Sequence, residues 1–358
     1  MSMMLPIPLQ WRVLRLLKGR RTYQETADQQ WVLHPRETSL TRRAIYRSED
    51  LDRVTAVHPE TTYQHELGRI RGGRVEHMAT TVYRLRQAHF LHGYIYHGAM
   101  RHCLVTTKEH LFPSLTTEQI ERAALACTFV GLRYFGHFMT DDLTLALAAE
   151  SLAQPITVPQ PLTAHQLEYR NLFGIHPLPV AQAQCQELLL IEDVGQNRFK
   201  RKRYEVMRSR LQQFSSATSS GSSSATSRGV MFLRGASGVR RLLVNESEVA
   251  AFLKQQGFAV LDAETLSVAE IVRQTLGAKI VVGVEGSQLV HGLFAMAEGG
   301  TMLTLQPPDR FNNVHKDYTD CLDMNYAFVV GNPEPNGFSI NIEDLAKTLD
   351  HLAHAQLV

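Results

Sequence analysis

The stretch from Lys279 to Pro308 constrains this chain more than any other. It reads KIVVGVEG, SQLVHGLFAMAEGG, TMLTLQPP, which is a strand, a tight turn, a helix and a second strand. Ile280, Val281 and Val282 form the short apolar run of a strand buried on both faces of a parallel sheet. Gly283 and Gly286 bracket the turn, where a backbone must bend sharply or lie close to a ligand. Ser287 is placed to cap the helix. Leu289, Val290, Leu293, Phe294, Met296 and Ala297 recur at helical spacing, and Gly299 and Gly300 stop the run. Met302, Leu303 and Leu305 open the next strand. Such a unit points free N–H groups and a positive dipole end out of the sheet, toward an anion such as phosphate. The glycine spacing matches neither GxGxxG nor a Walker loop, so a turn that binds nothing is the plainer reading of this stretch alone.

The chain has 358 residues, enough for two domains with full cores, and 44% apolar with 20% charged residues marks it as globular. A net charge of +2 argues against a general nucleic-acid binder. Cys103, Cys127, Cys185 and Cys321 are scattered with no CxxC spacing, which predicts reduced thiols in a cytoplasmic protein. No apolar run approaches the length of a membrane span, and charges interrupt the N-terminal apolar residues before a signal peptide could form.

The opening PIPLQWRVLRLLKGRR is amphipathic. Trp11, Leu14 and Leu17 can share one face, and Arg12, Arg15, Lys18, Arg20 and Arg21 supply positive charge. A helix docked on its own domain is favoured over one resting on an anionic membrane surface. Asp50-Leu51-Asp52 is a DxD, but with no strand before it the reading is a solvated helix start rather than a metal site. Residues 79–107 predict strands or a hairpin, and the four histidines there, His89, His92, His97 and His102, fit no metal-ligand spacing. Thr117, with Gln119 and Glu121, suits a helix start. In GLRYFGHFMTDDLTLALA, Arg133, His137 and Asp141 stand four apart and share a face on a helix. A carboxylate one turn from an imidazole fixes its tautomer and raises its basicity, as a general base requires. A structural Arg–His–Asp ladder explains the spacing equally well.

Leu188 to Ile191 reads as a strand, and the seven basic residues between Arg198 and Arg210 read as a solvated face. Ser215 to Ser227 is low-complexity and flexible. Beyond it, Val230 to Leu233, FAVLD and KIVVG alternate with helices, one opened by Asn245 and Glu246 and one capped by Ser267. Repeated βα units predict a Rossmann-like domain, with ligands beyond the carboxyl ends of the strands near Arg234 and Glu285. YAFVVG and the closing helix NIEDLAKTLDHLAHA follow.

These residues converge on a resemblance. Arg234, RRLLVNE (Arg240 to Glu246), the GF-V---E-LS---I pattern from Gly257 to Ile271, and GVEGSQLVHGLFA (Gly283 to Ala295) are similar in order to the motifs of glycosyltransferase family 61, the DUF563 group. GHFMTDDL (Gly136 to Leu143) resembles that family's N-terminal HFxxDxL. The similarity runs from about Phe129 to Pro308. It implies an α/β chain of GT-B type, with two Rossmann-like domains. An N-terminal acceptor-side domain would span residues 1–214, a Ser-rich linker 215–229, and a nucleotide-sugar domain 230–358. It further implies an inverting, metal-independent transfer from a nucleotide-diphosphate sugar, UDP-linked by expectation, to a glycan or lipid-linked glycan. The setting would be bacterial capsular or exopolysaccharide synthesis, in the cytoplasm or peripherally at the membrane.

With no metal motif and no cofactor expected, Arg234, Arg240 or Arg241 and the helix start at Gly286, Ser287 and Gln288 would neutralise the leaving diphosphate. Gly283, Asn245 and Lys316 join the substrate-binding candidates, with Arg310 a further phosphate contact. His137 with Asp141, or Asp142, is the candidate base. Two positions depart from the family pattern. Glu285 replaces the histidine of HGA, and it would repel a diphosphate, bind hydroxyls or act as the base itself. Thr304 replaces a glutamate suited to ribose. The alternatives are a pyruvyltransferase-like enzyme on a similar scaffold and a non-catalytic binding or assembly protein.

Overall fold

The computed structural model describes residues 5–113, 118–218, 228–235 and 241–355. By compactness the chain forms two units. The first comprises residues 1–37 and 77–195, the second residues 38–76 and 196–358. The expected cut at residue 214 is therefore not where compactness divides the chain. Residues 38–76 and the helix Arg198–Thr218 both go with the C-terminal strands. That helix continues into the Ser-rich tract as far as Thr218; residues 219–227 lie outside the described residues.

The second unit is built on a five-stranded parallel sheet. Its order is Phe258–Leu261, Gly229–Phe232, Ile280–Val284, Thr301–Gln306, Asn325–Val330. Each strand is an apolar run because both faces are covered, as parallel sheets require. Ile280 to Val284 and Thr301 to Gln306 are buried at every position. Ser267 caps the helix Val268–Thr275 through a full capping box with Glu270. The closing helix Ile342–Ala355 buries Leu345, Leu349 and Leu352 in the same core. Alternating strands and helices in this order make the α/β layout read from the sequence.

The first unit departs from the Rossmann-like expectation. Its eight-stranded sheet is mixed. Gln182–Glu192, Glu118–Leu125, Gln154–Thr157 and Leu178–Pro179 run parallel. Thr80–Leu91 pairs antiparallel with Gln29–His34, Tyr94–His97 and Gln182–Glu192. Glu118–Leu125 follows the helix start read at Thr117, Gln119 and Glu121, yet it is not helical. It is a strand because Ala123, Ala124 and Leu125 are needed between neighbouring strands, and tertiary pairing overrides helix propensity. Thr117 lies outside the described residues. The helix Ile7–Lys18 docks through Trp11, whose indole donates to the Ala99 carbonyl at 3.0 Å. Leu17 does not share that face: Leu16 and Leu17 are 87% and 76% exposed.

Two further readings change. The first acid of the DxD is not solvated. Asp50 is fully buried, pairs with Arg53 at 2.6 Å and accepts from the Val330 backbone at 2.9 Å. The basic run is not uniformly solvated either, since Lys200, Arg203 and Arg208 are buried. Arg208 donates to the carbonyls of Leu293 and Met296 at 3.0 and 2.8 Å. It thereby closes the end of the short helix Val290–Ala295, whose last carbonyls have no partner within the helix. Arg208→Ala leaves two buried acceptors unsatisfied and is expected to cost about 3 kcal/mol of stability. Urea denaturation checks this, and a loss under about 1 kcal/mol would show that the cap contributes little.

Candidate functional site

In the second unit, the strand Ile280–Val284 ends at Glu285, and the chain turns through Gly286 into a 3-10 turn, Ser287–Leu289, before the helix Val290–Ala295. The helix is thus shorter than its periodicity suggested. Gly286 is the N-cap of the 3-10 turn, and Leu289 is that of the α-helix, so Ser287 is not the helix cap. Gly286 has a φ of 157°, which side chains rarely adopt, and a Cβ there would also lie 2.6 Å from Gln288 Oε1 and 2.9 Å from Arg241 Nη1, so both side-chain ends would have to shift. Gly283 serves packing, since a Cβ would stand 2.9 Å from the Phe232 carbonyl and 3.0 Å from Leu289.

Arginines gather at this strand end. Arg241 donates from Nη1 to the Glu285 carbonyl at 2.8 Å, and its Nε stands 3.1 Å from Glu285 Oε2. Neither Arg241 Nε nor Glu285 Oε2 completes a hydrogen bond of good angle among the described residues. The pair is close but imperfectly joined. Arg234 and Arg310 add their fields to that of Arg241 at the same carboxylate. The Nε of Arg310 is buried with no hydrogen-bond partner among the described residues. Burial pushes the Glu285 carboxyl up, and Arg241, Arg310 and Arg234 pull it back. Burial lowers the pKa of His58, and Arg310 adds to that. Gln288 donates to the Val284 carbonyl at 2.6 Å, leaving its buried Oε1 without a partner among the described residues.

Beneath the arginines lies a polar network that sequence reasoning missed. Asn312 donates to Glu285 Oε1 at 3.4 Å and its carbonyl accepts from Gln306 at 2.7 Å. Gln306 also donates to the Tyr326 hydroxyl at 3.1 Å, which donates to Asn313. Asn313 donates twice to the buried Glu66, through its backbone at 2.7 Å and its side chain at 2.9 Å. Glu66 comes from residues 38–76, which carried no motif linking them to the C-terminal strands. Buried polar atoms satisfied in series hold one another in place, so the loop carrying Arg310 is anchored at both ends.

Other predicted ligands have partners inside the fold. Lys316 is 1% exposed and bonds Asp320 at 2.6 Å, one helical turn on. It is tied up there rather than presented to a phosphate, and burial raises Asp320 to about 6 against the pull of Lys316. Asn245 clasps the Ile340 backbone, donating to its carbonyl at 2.9 Å and accepting from its N–H at 3.0 Å. The Thr304 hydroxyl donates to the Ala327 carbonyl at 3.3 Å. Arg240 lies outside the described residues. The backbone N–H of Arg234 donates to Glu246 at 2.8 Å, which ties the strand end to the helix Glu246–Gln255.

In the first unit, His137 and Asp141 do pair. Nδ1 lies 2.7 Å from Asp141 Oδ2, with the imidazole side chain 35% exposed. His137 ends a single α turn and Asp141 lies within the π-helical turn that follows, Phe138–Asp142, before the helix Leu143–Glu150. The wider turn is a recurrent device for presenting side chains. Arg133 leaves the expected ladder and lies over the rings of Phe129 and Tyr134, at 5.0 and 5.4 Å. Asp142 is turned inward: it accepts from the backbone and hydroxyl of Thr128 at 2.8 and 2.9 Å, and burial lifts its carboxyl well above the usual range. It also lines a cavity of about 520 Å³. Among the described residues no three His, Cys, Asp or Glu side chains are grouped to hold a metal ion.

Compared with known families, residues 135–303 match Glycosyltransferase 61. This stretch belongs to glycosyltransferase family 61. No curated protein matches the chain. The family-61 region begins at Phe135, two residues before the His137–Asp141 pair, and ends at Leu303, past the turn at Glu285–Gln288. It therefore includes the imidazole–carboxylate pair and, with Arg310 outside it, most of the arginine cluster. Members of that family in general take a sugar donor and a glycan acceptor. No helix among the described residues is long and apolar enough to cross a membrane.

Proposed function

We propose that this chain is an inverting, metal-independent glycosyltransferase of GT-B type. It would transfer a hexose or pentose from a nucleotide-diphosphate donor, UDP-linked by preference, to a glycan hydroxyl in bacterial capsular or exopolysaccharide synthesis. The observation that carries this is the convergence of Arg241, Arg310 and Arg234 on the strand end at Glu285. Guanidinium groups match phosphate oxygens in pairs, and they supply in place the positive charge a leaving diphosphate needs. The incomplete contacts of Arg241 Nε and Arg310 Nε leave donors for such a group. His137, oriented by Asp141 through Nδ1, is the base for the acceptor hydroxyl, using Nε2. Calorimetric titration with a panel of nucleoside diphosphates in EDTA tests the reading, together with the anomeric configuration of the product by NMR. No binding by any of them, or a retained configuration, would reject it.

Glu285 is assigned as the resident counter-ion of the arginines rather than the base. The sign of its pH effect follows from its raised carboxyl. As pH falls the group takes a proton, its hold on Arg241 weakens, and a diphosphate meets less competition. Donor affinity is therefore expected to rise toward acid pH. Glu285→Gln is expected to tighten nucleoside diphosphate binding roughly tenfold, the like-charge penalty being removed, and to flatten the pH dependence while turnover persists. Calorimetry across pH reads both, and loss of turnover with unchanged affinity would make Glu285 the base instead.

A peripheral membrane contact is proposed through the helix Ile7–Lys18. The exposed Leu16 and Leu17 stand beside Arg15 and Lys18, the pattern of a helix lying on anionic lipid. Sedimentation with phosphatidylglycerol vesicles reads this, and protein left wholly in the supernatant would remove the contact. A cytoplasmic site of action is proposed with it.

A further inference from the structure

The first unit holds a cavity of about 520 Å³ that none of the roles above uses. It lies where the strands Gln154–Thr157 and Leu178–Pro179 end, since Thr157, Val158 and Pro179 line it. Ligands of parallel sheets bind beyond the carboxyl ends of strands, and the volume is that of a small-molecule site. Its walls are mostly apolar and stiff, with Pro159, Pro161 and Pro179 among them. Proline rings present flat C–H surfaces with little freedom to lose.

Among the described residues that line this apolar space, one is a cation. Arg170, on the helix Ala164–Phe173, lines the cavity and lies 5.6 Å over the Phe138 ring. Its Nε is buried without a hydrogen-bond partner among the described residues. Asp142, whose field reaches Arg170, is bonded to Thr128 and not to the guanidinium. A half-buried guanidinium without a bonded carboxylate is costly to keep, which marks it as held for a ligand.

We infer that this cavity binds a ring-shaped monocarboxylate, and specifically a uronic acid residue of the acceptor glycan, its carboxylate on Arg170 and its C–H face on the prolines. Asp142 also lines the cavity, but burial lifts its carboxyl well above the usual range, so the charge left for Arg170 to balance is the single one of the ligand. A phosphate dianion would leave excess charge against apolar walls, which is unfavourable. The half-buried Gln160 on the wall gives ring hydroxyls a partner that a hydrocarbon acid would not use. The choice of a sugar rests on the glycosyltransferase reading; the anion-plus-ring chemistry rests on the cavity alone.

The test uses the full chain and saturation-transfer NMR with methyl glucuronoside, methyl glucoside, glucose 6-phosphate and cyclohexanecarboxylate. Methyl glucuronoside is expected to saturate, with the other three at least tenfold weaker. Arg170→Gln should weaken it by tenfold or more. Gln160→Glu should do the same from the cavity wall by placing a like charge there, which guards against a folding defect in the arginine variant. UDP binding, read in the same samples, should be unchanged in both variants. No glucuronoside signal, equal signals for the neutral sugar, tighter binding of cyclohexanecarboxylate or of the phosphate, or indifference to both variants would each overturn the inference. Absent UDP binding in the wild type with glucuronoside bound would strike the donor reading and leave this site standing.

Discussion

Arg241→Ala is expected to weaken nucleoside diphosphate binding roughly 30-fold, the value of one charge-assisted hydrogen bond of about 2 kcal/mol. Arg241 is the arginine most directly engaged at the strand end, touching both the Glu285 carbonyl and its carboxylate. Removing it strips a donor from the anion and also leaves Glu285 buried with less compensation. Both effects act against a diphosphate. Arg241→Lys keeps the charge but not the planar fork, so it should restore only part of the affinity. Calorimetry with UDP reads both variants. Affinity unchanged in Arg241→Ala would remove this residue from the donor site.

His137→Ala is expected to lower turnover by 10²- to 10⁴-fold, the range for loss of a general base, with nucleotide affinity unaltered. The basis is the 2.7 Å contact that commits Nδ1 to Asp141 and leaves Nε2 for the acceptor. Asp141→Asn should fall by less, because the amide still bonds the ring but no longer favours the imidazolium formed on proton transfer. Asp142 is a positioning residue in this scheme: it holds Thr128 and, through it, the turn before the π-helix. Steady-state rates with saturating donor separate these cases. A His137→Ala enzyme at the wild-type rate would move the base elsewhere.

Much of the second unit was legible because its signals are local. Apolar runs bounded by glycine, the Ser267–Glu270 capping box and the periodic closing helix each report on their own few residues. The His137–Asp141 pair was legible for the same reason, being one helical turn in length. What escaped was set by distant partners. Asn245 and Lys316 look like surface ligands until Ile340 and Asp320 are seen to engage them. Asp50 reads as a solvated helix start, yet it is buried because Val330 needs an acceptor there. The strand at Glu118–Leu125 reads as a helix start through Gln119 and Glu121 and is extended because of its neighbour Gln182–Glu192. The α-helix was read one turn too early, because Ser287–Leu289 forms a 3-10 turn before it starts at Val290.

The most direct measurement is a crystal structure of the chain soaked with UDP in EDTA. The account predicts the diphosphate within hydrogen-bond distance of the Arg241 and Arg310 guanidinium groups, at the strand end by Gly286. Density for the nucleotide away from both arginines, or binding only once a divalent cation is restored, would contradict it.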